Sequence, residues 1–202
     1  MKDGLSDDII SLDLTAPIWE RFFLLAPMVL IGTIEPGGAP DLAPKHMATP
    51  MGWDNYFGFV CTPRHGTYKN IERTGVFTVT YPRPSQILYT SLAASPRCGE
   101  DEKPVLNAFK TMPATRVDGV FVADGYVFLE CEVFRIVDGF GVNSLITGNI
   151  VAAHVHKDAL RASELDDQEL IRNAPMFAYI HPWRFASVAD TNRFPLPVGM
   201  ER

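Results

Sequence analysis

Residues 61–81 read CTPRHGTYKNIERTGVFTVTY. The stretch leaves a strand at Cys61, crosses Pro63 and Gly66, and enters a short helix predicted over 67–74 with Gly75 as its stop. Val76 to Tyr81 then alternates apolar and polar side chains, which predicts a strand. A helix N-terminus leaves backbone N–H groups unpaired and carries partial positive charge, which suits a phosphate. Arg64 adds a forked cation, Gly66 lets a ligand approach the backbone, Thr67 offers a hydroxyl at the predicted cap, and Lys69 adds charge from the first turn. The same residues also describe an ordinary capped surface helix with two solvated cations.

Working outward, the chain reads as many strands and few short helices. Upstream, a short helix is predicted over 15–23, with Thr15 as cap and Pro17 in its first turn. A buried strand is predicted over 28–34, a turn over 36–40, a partner strand over 41–47 and another strand over 55–61. Downstream, helical segments are expected at 86–94, 103–111 and 166–173. Strands are expected at 119–123, 126–133, 146–156 and 176–180, with turns at Asp124–Gly125 and Asp138–Gly139. The fold class is mainly β with short helices (α+β), an antiparallel barrel with helical decorations. Residues 1–202 read as one domain, with 1–25 as an N-terminal arm and 185–202 as an irregular tail. A doubly wound sheet is excluded by the short helices and by the lack of a glycine-rich βα turn.

The bulk composition narrows the function. Hydrophobic residues make up 47% and charged residues 21%, which suits a folded chain, and the formal net charge of -6 disfavours a nucleic-acid surface. Cys61, Cys98 and Cys131 are far apart, so neither a disulfide framework nor a zinc site is expected. The acidic N-terminus is unlike a signal peptide, and the apolar stretch 22–32 contains Pro27 and is too short to span a bilayer. A cytoplasmic protein without membrane contact is expected. His154 and His156 would share a strand face, but without a third ligand no metal is expected; His154 could instead face a substrate. His181 is expected in a turn before Pro182 and Trp183. Glu130 and Glu132 read as the wet face of a half-buried strand, while Trp53, Tyr56 and Phe57 read as core.

A second polar stretch, 43–50, reads APKHMATP and supplies Lys45, His46 and Thr49 at a strand end. Together with Thr67-x-x-Asn70-Ile71, Thr74-Gly75-x-Phe77, Leu129 to Val133 and Thr147 to Val155, it resembles the flavin-reductase-like, FMN-binding split-barrel family. That family typically shows N-x-A-P-x-S, then T-x-x-N-I, then T-G-x-F, and the resemblance runs from about Ala26 to Tyr179. Leu42 stands in place of the usual Asn, and His46 in place of the usual Ser. The resemblance implies an antiparallel split β-barrel, a homodimer with FMN rather than FAD near the subunit interface, and NADH or NADPH as electron donor. It implies that Ala43, Pro44, Lys45, His46, Met47 and Thr49 lie along the flavin ring. Arg64, Thr67 and Asn70 would then lie at or near the phosphate and ribityl chain, and Cys61, Thr62, His65 and Gly66 beside them complete the candidate cofactor-binding residues. His46 and His154 are the catalytic candidates, tuning the ring and orienting the donor or acceptor. The implied activity passes electrons from NAD(P)H through flavin to free flavin or a small acceptor. A flavin-binding electron carrier and a non-catalytic barrel module are the alternatives.

Overall fold

The computed structural model describes residues 6, 8–97, 103–161, 167–195, 197 and 199. Its elements in chain order are β1 (Leu24–Pro27), β2 (Val29–Ile34), β3 (Pro40–Lys45), β4 (Ala48–Pro50), β5 (Tyr56–Cys61), α1 (Gly66–Thr74), β6 (Val76–Tyr81) and α2 (Ile87–Leu92). There follow β7 (Thr111–Pro113), β8 (Val120–Val122), β9 (Val127–Phe140), β10 (Asn143–Val155), α3 (Asp167–Asn173), β11 (Met176–His181) and β12 (Arg184–Val188). Short 3₁₀ turns occupy Pro84–Gln86 and Pro104–Ala108. Seven strands form a curled sheet in the order β3-β2-β6-β9-β10-β5-β4, and its pairings are antiparallel. A three-stranded sheet, β1-β11-β12, and the β7-β8 pair complete the β-structure.

The run Met28 to Ile34 is apolar because β2 is buried on both faces. Val29 and Ile31 join Phe57, Phe59, Tyr68, Ile71, Phe77, Val79, Cys131 and Ile146 in one core cluster. Leu30 faces the other way, with Leu42, Ala93, Phe109 and Val122. Gly32 lies where the layers close most tightly. A Cβ built there would stand 2.6 Å from the Val120 carbonyl oxygen and collide with Thr78 Oγ1. α1 buries Tyr68 and Ile71 and ends as predicted, at Gly75 with φ 72°. Asn70 Nδ2 donates to Thr33 Oγ1 at 3.1 Å, which ties α1 to β2.

Several expectations are corrected. Residues 15–23 form turns and bends instead of a helix. Trp19 and Phe23 are exposed there, so no packed face stabilises a short helix. The 103–111 segment holds only a 3₁₀ turn before β7. Asp138–Gly139 is not a hairpin turn: both lie within β9, and the reversal comes at Gly141 and Val142. Asp138 Oδ1 accepts from Ser144 Oγ (2.6 Å) and Tyr68 OH (3.2 Å), so the carboxylate anchors the ribbon to α1. The 185–202 tail is not wholly irregular, because β12 pairs with β11 through Phe185 to Val188. Glu130 is fully buried rather than wet, whereas Glu132 is exposed. His156 lies beyond the end of β10, so the two histidines do not share a strand. Cys98 and Asp166 lie outside the described residues.

Candidate functional site

β3 is an edge strand, so one flank of the seven-stranded sheet is left open for other elements. Between that edge and the N-terminus of α1 lies a cleft of about 580 Å³. One wall is Asp41, Ala43, Pro44 and Lys45. The floor is Arg64 to Thr67 with Lys69, and the far wall is Ala93 to Arg97 with Lys103. Two stretches chosen from the sequence, 43–45 and 64–67, therefore meet in space.

The electrostatics of the cleft are set by which charges are already spent. Arg97 lies 2.6 Å from Glu35 and 3.3 Å from Asp41. Lys103 Nζ lies 3.1 Å from Asp41 and donates to the Leu42 carbonyl at 2.8 Å. These contacts occupy both carboxylates of the lining. Lys45, Arg64 and Lys69 have no carboxylate partner among the described residues. Lys45 instead reaches the Cys61 thiol, which also receives the Tyr68 N–H; burial nevertheless pushes that thiol upward. Burial, with Lys45 and Lys103 nearby, holds His65 below the usual histidine range.

The backbone supports an anion at the same place. The residue before the helix is His65, in an extended conformation and with no side-chain cap bond. Thr67 is thus not the cap: it lies one position into the helix past Gly66, buried and lining the cleft. The N–H groups of Gly66 and Thr67 belong to the first turn, which has no intrahelical acceptors. A Cβ at Gly66 would meet only the Glu35 carboxylate, at 3.5 Å, so the backbone is open to approach.

The remaining predicted residues fall elsewhere. Asn70 is buried and bonded to Thr33. Thr62 and Cys61 lie behind the loop, where the Thr62 carbonyl accepts the His65 N–H. Met47 and Thr49 are exposed beyond the end of β3. His46 follows Lys45 directly, but its ring turns to β11, 4.7 Å from Tyr179 and 5.6 Å from His181. His154 lies apart from the cleft lining, its Nε2 3.2 Å from Glu130 and its ring against Phe121. Sequence reading missed Glu35, Asp41, Lys103 and residues 93–97. A usable signal was Asp41 itself, a carboxylate beside Leu42 and Ala43 in a strand predicted to pair with the buried 28–34 run, which needs a cationic partner when buried.

A curled antiparallel half-barrel with a cationic cleft beside its edge strand defines a split-barrel protein. More narrowly, the chain belongs to the family described as the flavin reductase like domain, whose model matches residues 23–175. Solved structures agree on the fold. Flavoredoxin of Desulfovibrio vulgaris is 18% identical with a TM-score of 0.76, covering 95% of this chain and 100% of that one. Nitrilotriacetate monooxygenase component B from Bacillus cereus is 14% identical with a TM-score of 0.78, over 95% and 100%. The 2-nitrobenzoate 2-nitroreductase of Pseudomonas fluorescens is 20% identical with a TM-score of 0.72, over 88% and 87%.

Proposed function

We propose that this protein is an FMN-binding oxidoreductase of the flavin-reductase type, taking electrons from NADH or NADPH and delivering them to free flavin or a small acceptor. The observation that carries this reading is the cleft at the N-terminus of α1, where three cations exceed the charge needed by the two paired carboxylates. A terminal phosphate fits this donor set. Arg64 and Lys69 would hold its charge, and the Gly66 and Thr67 N–H groups would bond its oxygens. Ala43, Pro44 and Lys45 would form the wall beside the ring, with His46 at its end. When bound, FMN supplies the hydride and electron transfer, and the protein's part is to bind it, orient it and set the local charge. Lys45 keeps a positive charge beside the ring site, while His46 presents an imidazole where the family has a small hydroxyl. Residues 93–97 and Lys103 close the far side, which limits water at the site.

Purified protein should be yellow, should release FMN on denaturation and should oxidise reduced nicotinamide. Arg64→Ala should weaken FMN binding roughly 10- to 100-fold, the worth of one charge-assisted contact, and leave folding intact because the residue is exposed. Flavin fluorescence titration measures this. A colourless protein that gains no flavin absorbance on titration ends the proposal. The bulk of His46 and its engagement with Tyr179 and His181 favour, as a second reading, a flavin-binding carrier that bleaches only with a protein reductant. Steady-state oxidation of NADH or NADPH excludes it.

A further inference from the structure

His46 leaves the edge of the barrel and enters an aromatic cluster built by another sheet. Its ring lies 5.6 Å from that of His181, nearly parallel at 15°, while Tyr179 stands 4.7 Å from His46 and 6.1 Å from His181. His46 Nε2 and both ring nitrogens of His181 are buried and have no hydrogen-bond partner among the described residues. A neutral imidazole carries one donor and one acceptor, and an imidazolium carries two donors. A buried donor without an acceptor is costly, and a buried charge without one is costlier still. The cluster therefore resists a second proton on His46, whose Nε2 it buries without an acceptor among the described residues.

We infer that His181 is a positioning residue for His46: stacked on it in a half-buried aromatic cluster, it keeps His46 an uncharged imidazole whose Nδ1 alone is open to a ligand. The inference rests on the reading that His46 ends the ring wall of the cleft. Nδ1 is the one nitrogen of the two rings that is neither buried without a partner nor hydrogen-bonded among the described residues. Burial, His181 and Lys45 act on His46 in one direction. Lys45 precedes it on β3, and Tyr179 and His181 face it from β11. No carboxylate is paired with it among the described residues, and Lys45 also acts on Cys61 and His65. Burial, then His181 and Lys45, hold His46 below the usual histidine range. The packed arrangement binds fewer protons than an opened one, so it is stable near neutrality and weakens as the pH falls below the ordinary histidine value. With Nε2 buried without an acceptor, the neutral ring carries its proton on Nδ1, which can donate to a ligand's polar edge without adding a second fixed charge to that of Lys45.

NMR titration of the histidine ring signals in flavin-free protein tests this, with the His46 signal assigned by its loss in His46→Gln. Wild-type His46 should titrate below an ordinary histidine. His181→Phe, which keeps a stacked ring but removes the second imidazole, should raise the His46 midpoint by about half a pH unit or more. His181→Gln serves as a second variant, with circular dichroism to confirm folding. An ordinary His46 midpoint in wild-type protein overturns the inference, whatever the variants do. So does a folded His181 variant with an unchanged midpoint. FMN titrations at each pH report separately on function: the bend in affinity should move with the His46 midpoint. Absence of FMN binding would end the flavin reading yet leave the His46 titration to decide the role of His181.

Discussion

Glu130 is a fully buried carboxylate held by a single turn of chain. The N–H groups of Thr115, Arg116 and Val117 and the Thr115 hydroxyl all donate to it, at 2.6–3.0 Å. Burial alone would raise its pKa, but these bonds win and hold it at about 2. A carboxyl depressed in the folded state stabilises the fold above its ordinary value of 4.5, and that stability is lost as the pH falls toward 2. Glu130→Gln should therefore cost about 2–3 kcal/mol at neutral pH, and the cost should shrink in acid. Urea unfolding at pH 7 and pH 3 measures both, and equal losses at the two would contradict the assignment. Strand alternation misplaced this residue because the face it occupies is covered by residues 115–122, a segment whose return to β9 is not visible in local periodicity.

At the scale of elements, Gly32 is the tightest junction between β2, β6 and the β8 segment. Gly32→Ala should cost about 1–3 kcal/mol or more, since both the Thr78 hydroxyl and the Val120 carbonyl would have to move. A thermal melt unchanged from wild type would show that the junction can relax. The strands 29–34, 56–61 and 76–81 and the helix 66–74 were legible from alternation, β-branching and the Gly75 stop. β1, β4 and β12 were not. They have four, three and five residues, and each exists through a partner strand that local sequence does not name. The 15–23 helix failed for the converse reason: its capping signals were present, but nothing packs on it.

For the whole molecule, the exposed apolar surface is large. Met47, Met51, Phe134, Phe140 and Val142 are exposed on the β4 side and along the β9-β10 ribbon. Such patches mark interfaces more often than bare surface. The protein is expected to sediment as a homodimer. The double variant Phe134→Asp and Phe140→Asp should weaken association at least about tenfold. A wild-type monomer at all concentrations would contradict this. Among the described residues no helix is long and apolar enough to cross a membrane.

By itself the sequence determined the main strands, α1 and the family resemblance, and it singled out Arg64, Gly66 and Lys69 as candidates for an anion site. Those features depend on backbone chemistry and on side chains a few positions apart, so neighbours in the chain are enough to read them. Only the tertiary structure decided which cations remain available. Lys103 neutralises Asp41 from 62 positions away, and Arg97 reaches Glu35 across the same number. It likewise decided that Asn70 serves β2 rather than the cleft, and that His46 turns to His181. Long-range closure brings those groups together, and the cost of burying an unpaired charge or ring nitrogen governs what each can then do.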